Sequence, residues 1–85
     1  MVNGAVFRFS KPFDVSIRHD RQENVWIAEC DELGLVTEAN TCEELKERVW
    51  ALAPELYEMN GLGQHPEHIR LSFTQIQSRS DRIAL

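Results

Sequence analysis

"GLVTEANTCEEL", Gly34 to Leu45, is the stretch that decides how the rest of the chain is read. It opens as an extended apolar run after a turn glycine and becomes a helix start within a few residues. Thr41 and Glu44 stand at capping-box spacing. The threonine hydroxyl can accept from the Glu44 amide while the Glu44 carboxylate reaches back to the Thr41 amide. Glu43 and Glu44 also place acid in the first turn, where the helix dipole favours it. A strand that feeds straight into a capped helix sends that helix across its own sheet.

Working outward toward the N-terminus, Phe13-Asp14-Val15-Ser16-Ile17-Arg18 alternates apolar with polar, the pattern of a half-buried strand. His19 to Asn24 is a polar turn, and Val25 to Cys30 is rich in β-formers and reads as a second strand. Asp31-Glu32-Leu33-Gly34 turns the chain again, and Leu35 to Ala39 is the third strand. Toward the C-terminus, Leu45, Val49, Leu52, Leu56 and Met59 recur at spacings of three and four and predict one buried helical stripe. Pro54 removes a backbone donor inside that helix and is expected to kink it. Asn60-Gly61 is a helix stop. A loop through Pro66 then leads to Ile69-Arg70-Leu71-Ser72-Phe73-Thr74, a last alternating strand.

The expected fold is α+β with the order β-β-β-α-β. An antiparallel meander and a final strand parallel to the first form a four-stranded mixed sheet, covered on one face by a single helix. The same order is part of a ribonuclease-H-like fold. Residues 12–76 make the domain. Residues 1–11, with Val6-Phe7-Arg8-Phe9, are an N-terminal arm or a short extra strand, and residues 77–85 a loosely ordered tail.

The turns give a register. A first hairpin centred between Arg21 and Gln22 opposes Ile17 to Trp26, Val15 to Ala28 and Phe13 to Cys30. A second, centred between Glu32 and Leu33, opposes Cys30 to Leu35 and Ala28 to Thr37. The helix-covered face then holds these residues with Ile69, Leu71 and Phe73. The opposite face carries Val25, Ile27 and Val36, bordered by Arg18, Glu29, Glu38 and Arg70. Branched apolar residues on an uncovered sheet face, rimmed by charge, mark an interface. A slip of one residue would exchange the two sets and turn Trp26 outward.

Charge narrows the choice of partner. The 85-residue chain has 14 acidic and 9 basic residues, a formal net of −5. Seven of the acids lie between Glu29 and Glu47 (Glu29, Asp31, Glu32, Glu38, Glu43, Glu44, Glu47) against the single basic Lys46. Such a surface repels phosphate, so direct nucleic-acid binding is not expected, and it attracts a basic protein. No apolar run reaches the ~20 residues of a membrane span, and no basic-then-apolar leader begins the chain. A cytoplasmic location is the default expectation.

Candidates for chemistry are few. Cys30 and Cys42 could be nucleophiles, but His19, His65 and His68 stand at no spacing that names a partner. His65 and His68 could join a metal site if two more ligands were supplied; solvated loop residues are the expected reading, with no metal and no cofactor. The last strand offers Arg70, Ser72 and Thr74 where a metal-dependent nuclease would need an acid. Gly61-Leu62-Gly63 follows a helix instead of opening one, so it cradles no phosphate. No catalytic residue is assigned, and a non-enzymatic role is expected.

With these residues placed, "ENVWIAECDELGLVTEANTCEELKERV" resembles the core motif of HicB-like antitoxin domains. The resemblance is carried by Trp26 with Ala28, by the Asp31-to-Gly34 turn, and by Glu38 through Thr41 to Glu43-Glu44. Pro54-Glu55-Leu56 and Asn60-Gly61 make the chain most similar to the bacterial domain-of-unknown-function family nineteen-oh-two, over roughly residues 13–73. The resemblance implies a self-associating module that binds a small basic protein, such as a HicA-like RNA-cleaving toxin. Applied to the faces above, it points to Val25, Ile27, Val36, Glu29, Asp31, Glu32 and Glu38 as partner-binding or self-association residues. The alternative is an orphan homo-oligomer that binds a small molecule or another regulator.

Overall fold

The computed structural model of the chain describes residues 11–77. The expectations for residues 1–11 and 77–85 therefore fall almost wholly outside the described residues. The elements run β1 (Phe13–Asp20), β2 (Val25–Cys30), β3 (Leu35–Ala39), α1 (Cys42–Met59), one 3-10 turn (Pro66–His68) and β4 (Leu71–Ile76). The sheet order is β3-β2-β1-β4, with β1 antiparallel to β2, β2 antiparallel to β3, and β4 parallel to β1. This is the expected β-β-β-α-β fold.

The β2–β3 hairpin has the expected register, with Cys30 opposite Leu35 and Ala28 opposite Thr37. The β1–β2 hairpin does not. Ile17 lies opposite Ala28 and His19 opposite Trp26, so the pairing is displaced by two residues. The cause is local. The Asp20 carboxylate accepts from the amides of Gln22 and Glu23 at 3.0 and 3.3 Å, and Asn24 takes a left-handed φ of 55°. A short acid that caps the turn and an asparagine that tolerates positive φ move the bend one place along the chain. Because the displacement is even, each residue keeps its face.

β4 also starts later than expected. Pro66 pre-sets φ for a 3-10 turn, closed by the His68 amide donating to the His65 carbonyl at 2.9 Å. Ile69 is left as its extended cap. The ladder begins where the Phe13 amide donates to the Arg70 carbonyl at 2.9 Å, and the pairs run Phe13–Leu71, Val15–Phe73 and Ile17–Gln75.

The helix starts at the expected cap. The Glu44 amide donates to the Thr41 hydroxyl oxygen at 3.1 Å. The reciprocal half of the box differs: the Glu44 carboxylate accepts from the Thr41 hydroxyl at 3.4 Å. α1 then runs unbroken as one helix through Pro54. At its end the Gly61 amide donates to the Glu58 carbonyl and the Leu62 amide to the Tyr57 carbonyl, at 3.1 and 3.0 Å. That is a Schellman stop, and it requires the positive φ of 62° that Gly61 supplies.

The core is Val15, Ile17, Ala28, Cys30, Leu33, Leu35, Ala39, Leu45, Val49 and Ala53, all buried between α1 and the sheet. The helical stripe is thus Leu45, Val49 and Ala53, with Leu52 and Leu56 half-buried beside it. Met59 does not belong to it and is 78% exposed. It lies roughly 80° round the helix from Val49, off the line that meets the sheet. Ala28 and Ala53 are fully buried, so small side chains stand on both sides of the helix–sheet contact.

Leu33, a turn residue by its sequence context, is fully buried. The Asn60 side-chain amide donates to its carbonyl at 3.0 Å, tying the β2–β3 turn to the helix end. Asn60→Ala leaves that half-buried carbonyl without its donor, and the expected loss is about 1 kcal/mol. Chemical denaturation checks this; an unchanged midpoint would show that the tie contributes nothing.

Candidate functional site

α1 covers one face of the sheet and leaves the other open. Alternation along each strand assigns the open face to Asp14, Ser16, Arg18 and Asp20 of β1, Val25, Ile27 and Glu29 of β2, Val36 and Glu38 of β3, and Ser72, Thr74 and Ile76 of β4. Val25, Ile27, Val36, Glu29 and Glu38 therefore share this face, and Asp31 and Glu32 stand at its end in the β2–β3 turn.

The open face divides into an apolar part and an acidic part. Val36 is 72% exposed, Ile76 54% exposed, and Val25 and Ile27 are half-buried. One cross-strand row reads Ile76, Arg18, Ile27, Glu38, so a cation interrupts the apolar surface between the two isoleucines. Arg18 reaches diagonally to Glu29 at 3.1 Å. Both side chains are well exposed, and an exposed pair of this kind contributes at most about 1 kcal/mol. Its effect is chiefly to hold the Glu29 carboxylate across the middle of the face.

Beside it lies a shallow cleft of about 270 Å³, lined by Asp14, Ser16, Glu29, Asp31 and Glu32. The next row explains it. Ser16 is opposite Glu29, and its hydroxyl donates to the Glu29 carbonyl at 3.3 Å. One step further along β1, Asp14 comes level with the turn that carries Asp31 and Glu32. Four carboxylates from two strands and one turn thus border one depression, next to the exposed Val36. Such a depression is shaped for the end of a lysine or arginine side chain with an apolar stem alongside.

Sequence reading finds Glu29, Asp31 and Glu32 but misses Asp14 and Ser16 of this cleft. Their polar character on the outward positions of β1 is the available signal. The register expected from the turns would set Asp14 opposite Glu29 and so separate it from the turn acids, whereas the observed pairing puts Ser16 there and carries Asp14 on to the turn.

The two thiols differ in burial. Cys30 is buried in the core, and burial pushes its thiol above the ordinary range, partly offset by the backbone amides of Leu33 and Glu32. The folded protein holds this proton more tightly than the unfolded chain does. The resulting stability is therefore complete below about pH 9 and declines as pH rises through the folded value. Cys42, in the first turn of α1, is half-buried. Iodoacetamide should alkylate Cys42 first and Cys30 roughly tenfold more slowly or worse, as peptide mass mapping would show. Equal rates in the folded protein would contradict the buried placement of Cys30.

Among the described residues no helix is long and apolar enough to cross a membrane. Comparison with known proteins places the fold. No curated protein matches the chain. Among solved structures, the chain is similar to a hypothetical protein from the extremely thermophilic bacterium Thermus thermophilus. The two share 33% identity at a TM-score of 0.63, over 81% of this chain and 94% of that one. Residues 13–84, which take in the whole sheet, the helix and the acidic cleft, match the model of one family, and the chain belongs to it: Domain of unknown function (DUF1902).

Proposed function

We propose that this chain is a non-catalytic protein-binding module that takes a small basic protein on its open sheet face. The single observation behind the reading is the cleft of Asp14, Ser16, Glu29, Asp31 and Glu32 beside exposed Val36. Convergent carboxylates next to a branched apolar side chain offer what a cationic partner needs: charge to steer encounter and an apolar contact to hold it. The resemblance to HicB-like antitoxin domains supports the same reading and gives the partner a class, a HicA-like RNA-cleaving toxin. In that role the module would mask the toxin's cationic surface and so keep RNA from it.

Co-expression of this chain with the product of the neighbouring gene tests the proposal. The expected result is a complex that survives size exclusion at low salt and weakens as salt rises. A neighbouring product that is basic yet elutes separately at every salt concentration would count against it.

A second reading, self-association, is favoured by Val36 and Ile76, which expose apolar surface near opposite edges of the same face. In that case the purified chain alone is a dimer or larger species in solution, and Ile27→Asp or Val36→Asp reduces it to monomer. Light scattering of the chain alone tests self-association, which the first reading also allows; the mass gained on adding the basic partner is what only the first reading requires.

A further inference from the structure

One group of donor atoms lies away from the open face, on the turn between α1 and β4. Among the described residues, His65, Glu67 and His68 bring one donor atom each within 4.8 Å of one another. The sequence there reads His-Pro-Glu-His, and its backbone accounts for the clustering. Pro66 at the first position of the 3-10 turn fixes φ, and the His68 amide closes the turn onto the His65 carbonyl at 2.9 Å. In a 3-10 turn, side chains three apart eclipse, so the two imidazoles come side by side, tilted at 57° with centroids 5.6 Å apart. Glu67 lies between them, its Oε2 at 3.1 Å from His65 Nδ1 and 3.9 Å from His68 Nε2.

The turn is anchored at both ends. Upstream, the Leu62 amide donates to the Tyr57 carbonyl, and Gly63 lies so close to the Tyr57 ring that a Cβ there would overlap its hydroxyl. Downstream, the Arg70 carbonyl enters the sheet through the Phe13 amide. A donor set on a braced turn loses less freedom on binding than one on an open loop.

We propose that the His65–Glu67–His68 turn is a surface site for a divalent transition metal of the zinc class. His65 Nδ1, Glu67 Oε2 and His68 Nε2 are its three protein ligands, and water fills the fourth position. Tetrahedral zinc with bonds of about 2.0–2.2 Å needs neighbouring ligand atoms roughly 3.3–3.5 Å apart. The two contacts to Glu67 lie within about half an ångström of that, and small χ rotations of the half-exposed histidines bring in the third. Two imidazoles and one carboxylate suit zinc, nickel, cobalt or copper, and they do not suit calcium or magnesium, which take oxygen ligands. The expectation that two further protein ligands would be required is met halfway by Glu67, and an open position is normal for a three-ligand zinc site. This inference is independent of the partner-binding role, since the turn and the open face share no residue.

Isothermal titration of the untagged full chain with zinc chloride, in a non-coordinating buffer at neutral pH, tests it. One equivalent should bind with a dissociation constant in the micromolar range. His65→Gln and His68→Gln should each weaken binding by at least about tenfold. His19→Gln and Cys42→Ser should leave it unchanged, and millimolar magnesium or calcium should not compete. Cobalt should give a visible absorption that the His68→Gln variant lacks, a readout that loss of stability cannot imitate when circular dichroism shows the variant folded. The proposal is overturned by no saturable zinc binding below millimolar concentration. It is equally overturned by binding that persists in the doubly substituted chain.

Discussion

Leu45→Ala should lower the unfolding free energy by about 3 kcal/mol, within the range of roughly 2–5 for a fully buried leucine. Leu45 is completely buried in the first turns of α1, in the same core as Val15, Ile17, Leu35 and Val49. Truncation removes its apolar surface and leaves a void that neighbours on a hydrogen-bonded sheet cannot close. A chain of this size has a total stability of only about 4–13 kcal/mol, so one substitution removes a large share of it. In urea the midpoint should fall by roughly 2 M. Met59→Ala is the internal control. The residue fits the same helical spacing in the sequence but is largely exposed, and its loss should change stability by no more than about 0.5 kcal/mol. If the two substitutions cost the same, the line along which α1 meets the sheet has been misassigned.

Asp31→Lys with Glu32→Lys should weaken the proposed complex with a basic partner by at least about tenfold, mostly through slower association. The pair is suited to the purpose. Both side chains are exposed in the β2–β3 turn, and neither is in the core, so the fold should tolerate the change. Replacing two acids by two lysines shifts the net charge by about +4 and turns the mouth of the cleft from attractive to repulsive. Glu29 is a poorer choice because its removal also strands Arg18. The defect should be large at low salt and shrink as salt rises, since exposed charges are screened over about 8–10 Å at ordinary ionic strength. Stopped-flow mixing across a salt series measures it. A defect equal at all salt concentrations would point to a disturbed turn instead of a lost field.

The order of elements and the assignment of residues to faces are legible in the sequence, because alternation in Phe13 to Arg18 and the cap at Thr41 are local signals. What is not legible depends on contacts between distant segments. The β1–β2 register is a local exception: Asp20 still pairs with Val25 at the end of β1, and its carboxylate then caps the turn by accepting from Gln22 and Glu23, which moves the bend one place along the chain. Leu33 looks like a turn residue and is core, because Asn60, 27 residues later, holds its carbonyl under the helix end. Met59 satisfies the three-and-four spacing but lies roughly 80° round the helix from Val49, off the line that meets the sheet, and is largely exposed. Glu67 is invisible as a companion to His65 and His68 until a 3-10 turn, which differs from an open loop in only a few dihedrals, brings the three together. The acidic cleft is half legible: its turn and β2 acids stand out in the sequence, and the β1 contribution needs the true register.

On the proposed function, a basic protein docks on the uncovered side of the sheet and not on the outward side of the helix. Backbone amide shifts of isotopically labelled chain, followed as the neighbouring gene's product is titrated in, test this most directly. The largest changes should fall on residues 14–18, 27–32 and 36–38, with the exposed helix positions Glu43, Glu47 and Trp50 little affected. Changes concentrated on those helix positions, with the sheet residues unmoved, would contradict it.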